Sequence, residues 1–257
     1  MRKSVSNKNR YHTLDELRGF AILCMVVYHA LYTMVYVLNV TELYKIYNFF
    51  TPAQPYFAAF FIFLSGIACS FSRSNLKRGL KLLGIAVAIS VVTLFLSSKG
   101  FGGVQIYFGI LHLLAVCMIL ASLFIPYMKK GSKPLGIMLM LFLFFITYNI
   151  ELGYIGINPV TLDIPNSFYA TNYLMPFGIY KLGFVSADYF PIFPWAFMFF
   201  AGVFVGFYEK TGKFPKFLKK RRISFLSYLG RNTLIIYILH QPVIYLLSTI
   251  VIKIFNL

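Results

Sequence analysis

An arginine and a histidine, Arg18 and His29, fall on one face of the first long apolar stretch, LDELRGFAILCMVVYHALYTMVYVL. Eleven residues at ~100° each make about three turns plus ~20°, so the two side chains stack along one line with a rise of ~16 Å between them. Ionisable groups at membrane depth cost enough free energy that they face a bundle interior and mark a ligand, proton or substrate path. The bland alternative is an arginine snorkelling to the headgroups above a packing histidine. Two further histidines, His112 and His240, also lie in apolar stretches. Imidazole is the side chain best suited to general-base work near neutral pH. At 1.5 Å per residue, His29 is ~18 Å and His240 ~16 Å from the cytoplasmic ends of their helices, and His112 ~12 Å from the opposite end of its own. The catalytic candidates are therefore His29, Arg18, His112 and His240; the last two read equally well as core histidines with satisfied nitrogens.

Asp15 lies fourteen residues before His29, within ~40° of the same face, and its ordinary role is an ion pair or a helix N-cap. Asp188, Tyr189 and Trp195 gather at the outer end of the sixth apolar stretch. A carboxylate among aromatics at a membrane mouth suits a sugar or an amine, while Tyr and Trp also serve as interface anchors. Gln241 and Pro242 follow His240 and are expected to open a local break in that helix. Ser65, Gly66 and Gly109 read as close-packing positions. Cys24, Cys69 and Cys117 all fall in apolar stretches, which points to packing residues and to neither a disulfide framework nor a metal site.

The elements that position these groups are membrane helices. The chain of 257 residues is 59% hydrophobic, 19% aromatic and 12% charged, a composition that excludes a soluble globular domain. Apolar runs place spans at Leu17–Leu38, Phe49–Phe71, Leu80–Leu96, Val104–Ile125, Leu135–Ile150, Phe190–Phe207 and Leu229–Ile254. The expected fold class is all-α, a polytopic bundle of about seven transmembrane helices forming a single domain over residues 1–257. No cleavable signal peptide is expected, because the first run is too long and lacks a small-residue cleavage site.

The formal charge of +17 suggests nucleic acid until its distribution is read. Of 24 basic residues, all but Lys45, Lys99, Lys181 and Lys253 precede or open the first span, follow the second up to the opening of the third, follow the fourth, or lie between the sixth and the opening of the seventh. That alternation puts the N-terminus in the cytoplasm and the C-terminus outside. The clusters are topology signals, with lipid or CoA phosphates as a second role, and no nucleic-acid partner is expected. The segment Glu151–Tyr189, rich in Gly, Asn, Tyr and Pro, is too long for a plain connection; its aromatics predict a folded cap or interfacial lid. Pro52, Pro55, Pro191 and Pro194 predict irregular backbone near the ends of the second and sixth spans.

Five ordered blocks, RYHTLDELRGFAILCMVVYH, FIFLSGIACSFSRSNLKRGLKL, FGILHLLAV, DYFPIFPWAFMFFAG and LGRNTLIIYILHQPV, resemble bacterial members of the heparan-α-glucosaminide N-acetyltransferase catalytic-domain family. The Arg-x10-His opening also resembles the acyltransferase 3 family of membrane O-acyltransferases, with Arg18 and His29 matching its pair. The resemblance implies a bacterial plasma-membrane enzyme carrying an acetyl group from cytoplasmic acetyl-CoA to an extracytoplasmic saccharide amine or hydroxyl. It departs in one respect: the eukaryotic heparan enzyme lacks a histidine at the place of His29 and carries its active one in the following loop or helix. The interval Ala30–Ser65 holds none here, so the base is His29, His112 or His240 and the lysosomal substrate is not carried over.

An extended pantetheine arm spans roughly the ~16 Å of three helical turns, so Arg18, helped by Lys77, Arg78 or Arg231, would take phosphate or pantetheine oxygens with the thioester beside His29. His29 then acts as general base or as a transient acetyl carrier, and Asp188, Tyr189, Trp195 and Gln241 frame the acceptor. The competing class is a small polar solute transporter with a histidine proton relay, weakened because the sequence has no inverted repeat. A structural membrane subunit leaves Arg18 and His29 unexplained. The acceptor and the oligomeric state, a dimer among the options, stay open.

Overall fold

A computed structural model describes residues 11–101, 103–211 and 214–255. Arg2, Lys3, Lys8, Arg10 and Lys213 of the basic clusters lie outside the described residues. Seven helical stretches are long and apolar enough to cross a membrane: His12–Tyr36, Thr41–Ser70, Asn75–Ser98, Ile110–Met128, Lys133–Leu152, Ile192–Glu209 and Thr233–Val251. They match the seven expected spans in order, in a chain that is mostly helical. The chain divides into two compact units, one formed by Met1–Leu64 with Pro215–Leu257 and the other by Ser65–Phe214.

In the first unit, α1 (His12–Tyr32) continues into a π-helical turn at Thr33–Val37. The helix begins early enough to put Asp15 in its first turn, so Asp15 is not its N-cap. α2 (Tyr44–Phe50) and a 3-10 turn at Thr51–Ala53 lead into α3 (Gln54–Ser70), which gives the irregular backbone expected at Pro52. The seventh apolar stretch is not one helix from Leu229, as its hydropathy suggests. It is a short amphipathic α8 (Ser224–Arg231) and a long α9 (Thr233–Phe255), parted at Asn232. Asn competes with the helix for its own backbone, and here its side chain donates to the Tyr228 carbonyl at 2.9 Å. Pro242 deprives the Ile238 carbonyl of its helical donor, yet α9 runs on through it, so the expected break is absent: a single lost bond leaves the rest of the ladder in place.

α8 lies against α1 at backbone contact. A Cβ on Gly19 would stand 1.9 Å from the Leu226 carbonyl oxygen, and one on Gly230 would stand 1.7 Å from that of Asp15. Only glycine permits such an approach. The entry to α8 is clipped to α1 as well. Glu16 Oε1 accepts the backbone N–H groups of Arg222 (2.7 Å) and Ile223 (3.0 Å), placing a buried carboxylate at a helix N-terminus. The Thr13 hydroxyl donates to the Lys220 carbonyl at 3.0 Å.

The second unit holds the end of α3, α4 (Asn75–Ser98), α5 (Ile110–Met128), α6 (Lys133–Thr147) and α7 (Ile192–Gly206). α5 packs on both α4 and α7, and α6 packs on α7. The core runs along α5 and α7, where Leu113, Cys117, Phe199 and Val203 are wholly buried. Phe193 has extended backbone (φ −98°, ψ 129°), the irregularity expected before Pro194. Between α6 and α7 the chain is folded, as its aromatics imply, and it includes strands that its composition does not suggest. β1 (Tyr154–Ile157) pairs antiparallel with β2 (Val160–Asp163), Tyr154 opposite Asp163. Tyrosines fasten this segment: Tyr169 donates to the Ile150 carbonyl, Tyr180 to the Glu151 carboxylate at 2.9 Å and Tyr189 to the Met175 carbonyl at 2.6 Å. Burial, and next the Glu151 carboxylate, push the Tyr180 and Tyr189 hydroxyls above the usual phenol range.

Candidate functional site

Arg18 and His29 rise along α1, and α9 runs beside them. Arg18 Nη2 donates to the Thr233 hydroxyl (3.3 Å) at the first residue of α9. About three turns further along α1 and two along α9, the Gln241 side-chain amide donates to His29 Nδ1 at 3.0 Å, and the Thr33 hydroxyl donates to Gln241 Oε1 at 3.5 Å. Later residues of α1 thus meet later residues of α9, and the two helices are parallel. The first and seventh spans of a seven-span chain must cross in the same direction, so this register agrees with the odd number of spans.

His240, the residue before Gln241, brings its ring to 5.0 Å from that of His29, tilted by 56°. Its Nδ1 donates to the Tyr237 carbonyl, and its Nε2 is buried with no hydrogen-bond partner. Arg18, His29, His240 and Gln241 are therefore brought together by two helices. Arg231 ends α8 exposed, its Nε donating to the Ser227 carbonyl at 3.2 Å.

The second unit treats its histidine differently. His112, in the first turn of α5, accepts the Gly109 N–H at Nδ1 (3.2 Å) and meets the Ser90 hydroxyl at Nε2 (3.3 Å). Because Nδ1 accepts, Nε2 of the neutral ring carries the proton and donates to Ser90. Both nitrogens are engaged in a buried ring. The Asp188 carboxylate accepts the Ile110 N–H at 2.9 Å, again at the start of α5. These two contacts explain why α5 begins at Ile110, later than its hydropathy suggests. Trp195 is buried against Phe144 and Phe190. The Tyr189 ring packs edge-on to Tyr180 and Phe184. Lys77 and Arg78 are exposed in the first turn of α4.

The sequence reading missed a tyrosine cluster beside His29. Tyr28, Tyr32 and Tyr36 recur every fourth residue along α1 and its π-helical turn, and Tyr44 and Tyr47 of α2 complete the set. The Tyr28 and Tyr47 hydroxyls meet at 2.9 Å, the Tyr36 and Tyr47 rings at 5.2 Å and the Tyr28 and His29 rings at 5.9 Å. The signal was present as a spacing of four, which stacks side chains on one helix face. Among the described residues, no group of histidine, cysteine and carboxylate side chains is arranged to hold a metal ion.

The arrangement can do proton chemistry: two imidazoles 5.0 Å apart, one of them oriented by an amide, and a cation about three turns away along α1. No curated protein and no solved structure matches this chain significantly. The family model for heparan-alpha-glucosaminide N-acetyltransferase, catalytic, matches residues 10–242, which takes in both α1 and the histidine of α9, and the chain belongs to that family.

Proposed function

We propose that this protein is a multi-pass membrane acetyltransferase that moves an acetyl group from acetyl-CoA, bound on the cytoplasmic side, to a sugar amine or hydroxyl on the opposite side. The observation that carries this reading is the His29–His240 contact, held by Gln241, with Arg18 on the same face of α1. A membrane anchor has no use for such a constellation. Family membership supplies the reaction class. The basic clusters, by the positive-inside rule, support a cytoplasmic N-terminus, and a bacterial plasma membrane is the location that the resemblance of the sequence blocks implies.

In this reading Arg18 takes a phosphate or pantetheine oxygen, with Lys77, Arg78 and Arg231 as exposed cations that attract the nucleotide phosphates. The thioester lies by the imidazoles, three helical turns along. Gln241 and the tyrosines beside His29 are the acceptor-side groups of the first unit. In the second unit, Asp188 is engaged at the start of α5, Tyr189 at the Met175 carbonyl and Trp195 in core packing. Direct transfer needs a base that takes the acceptor's proton as the carbonyl is attacked.

The test is a thermal-shift titration of detergent-purified wild type and Arg18→Ala with acetyl-CoA and with CoA, followed by transfer of radiolabelled acetyl to glucosamine. Saturable binding by wild type, weakened in Arg18→Ala, together with labelled product, is the expected result. A wild type that binds neither ligand overturns the reading and sends the protein to solute-uptake assays in proteoliposomes.

A further inference from the structure

Hydrogen bonds around the two imidazoles of the first unit fix opposite tautomers. The Thr33 hydroxyl donates to Gln241 Oε1, which leaves the amide nitrogen of Gln241 facing His29 Nδ1 at 3.0 Å. An amide nitrogen offers only N–H, so His29 Nδ1 accepts and the proton of its neutral ring sits on Nε2. His240 is the reverse. Its Nδ1 lies against the Tyr237 carbonyl, which only accepts, so Nδ1 holds a proton, and in the neutral ring Nε2 is a bare lone pair. That Nε2 is buried without a hydrogen-bond partner, on a residue only 9% exposed. One ring therefore offers an N–H and its neighbour, 5.0 Å away between centroids, offers a lone pair. Buried polar atoms are paired in folded proteins, and each exception calls for a partner or a role.

We infer that His240 takes the acceptor's proton and that His29 serves as the N–H donor to the thioester carbonyl, a division of labour that rests on the acetyl-transfer reading above. The acceptor hydroxyl or amine attacks the carbonyl carbon of the acyl thioester, forming a new C–O or C–N bond while its proton passes to His240 Nε2. The oxyanion of the tetrahedral intermediate accepts a hydrogen bond from the His29 Nε2–H, which keeps its proton. The C–S bond then breaks, and the proton on His240 goes to the departing sulfur. The products are acetylated acceptor and free thiol, and both rings return to their starting tautomers. Gln241 positions His29 throughout: its N–H holds Nδ1 as an acceptor and so keeps the proton on the nitrogen that faces the oxyanion. His240 is held in its own tautomer by its helix, one turn back at Tyr237.

Two measurements on the full-length protein in detergent test this. Nitrogen-15 histidine NMR on wild type, His240→Gln and His29→Gln reads the tautomers without any acceptor. The signals missing from His240→Gln should carry the Nδ1–H signature, and those missing from His29→Gln the Nε2–H signature. Transfer from acetyl-CoA to glucosamine reads the roles. A glutamine at 240 cannot take a proton and should lower turnover by about 100-fold or more, whereas a glutamine at 29 keeps an N–H near the place of Nε2 and should cost only ~10-fold. An Nε2–H signature on His240, or a variant ranking opposite to this one, overturns the division of labour while leaving acetyl-CoA binding, and hence the parent reading, intact. Wild type that fails to bind acetyl-CoA in the thermal-shift titration overturns both.

Discussion

The two units of this protein each hold a histidine in a helix and each fasten a helix start with a carboxylate from a distant part of the chain, yet their histidines end in opposite chemical states. His112 has a donor on one nitrogen and an acceptor on the other, so its ring is spent as a structural cap. His29 and His240 each spend Nδ1 alone on an orienting contact, and the two rings turn toward one another. His112 lies in the first turn of α5, while His29 and His240 lie well inside α1 and α9, but position along a helix does not decide their chemistry. Partner count does: a histidine is available for chemistry when the fold fixes its tautomer through one nitrogen and leaves the other to a reactant.

The sharpest way to break this comparison is to pull apart the helices that assemble the pair. Gly230→Val puts side-chain atoms where the Asp15 carbonyl already lies, 1.7 Å from the first of them. The obstacle is backbone, so α8 must leave α1, and the start of α9 moves with it. We expect a stability loss on the order of 4–5 kcal/mol, read as failure to elute as a single species in detergent or as a collapsed melting temperature, with acetyl-CoA binding lost. Wild-type melting for this variant would mean that the α1–α8 contact does not hold the site.

Next in size is the activity contrast between histidines. His29→Ala removes the N–H donor and should lower transfer to glucosamine by at least ~100-fold in a protein that still melts cooperatively. His112→Ala should do the opposite: it strands the Gly109 N–H and the Ser90 hydroxyl, costing about 1–3 kcal/mol of stability, while turnover per folded molecule stays close to wild type. If instead His112→Ala removes turnover at unchanged stability, the second unit carries chemistry that its hydrogen bonds do not suggest.

What the sequence made legible follows the same divide. Seven spans, and the alignment of Arg18 with His29, could be read because helical periodicity and hydropathy are local properties. His240 could be flagged by type and depth, but its contact with His29 could not, since nothing local joins residues 211 positions apart. Asp188 looked like a ligand for an acceptor because a carboxylate beside aromatics at a helix mouth suits one. Its hydrogen bond to Ile110 depends on α5, 78 residues earlier. The split of α8 from α9 was hidden by hydropathy, which reads Leu229 and the residues after Asn232 as one apolar run. The strands β1 and β2 were hidden by their shortness, four residues each.

The carboxylates give the finer comparison. Glu16 satisfies two N–H groups of the segment entering α8 and is itself only 6% exposed. Glu16→Ala should cost about 2–4 kcal/mol, two charge-assisted bonds to backbone being lost at once, and acetyl-CoA binding should weaken with stability because α8 positions the start of α9. Asp188 accepts the Ile110 N–H, at a helix start that His112 also supports. Asp188→Asn keeps an oxygen to accept that bond and removes only the charge facing the α5 N-terminus, a change worth about 0.3–1 kcal/mol. The loss should shrink in high salt, since charge–dipole attraction is screened. Thermal melts of wild type and Asp188→Asn at low and high salt check it. A shift that ignores salt would mean that Asp188 does not act through its charge on the α5 N-terminus, and turnover that falls while stability holds would return Asp188 to the acceptor site.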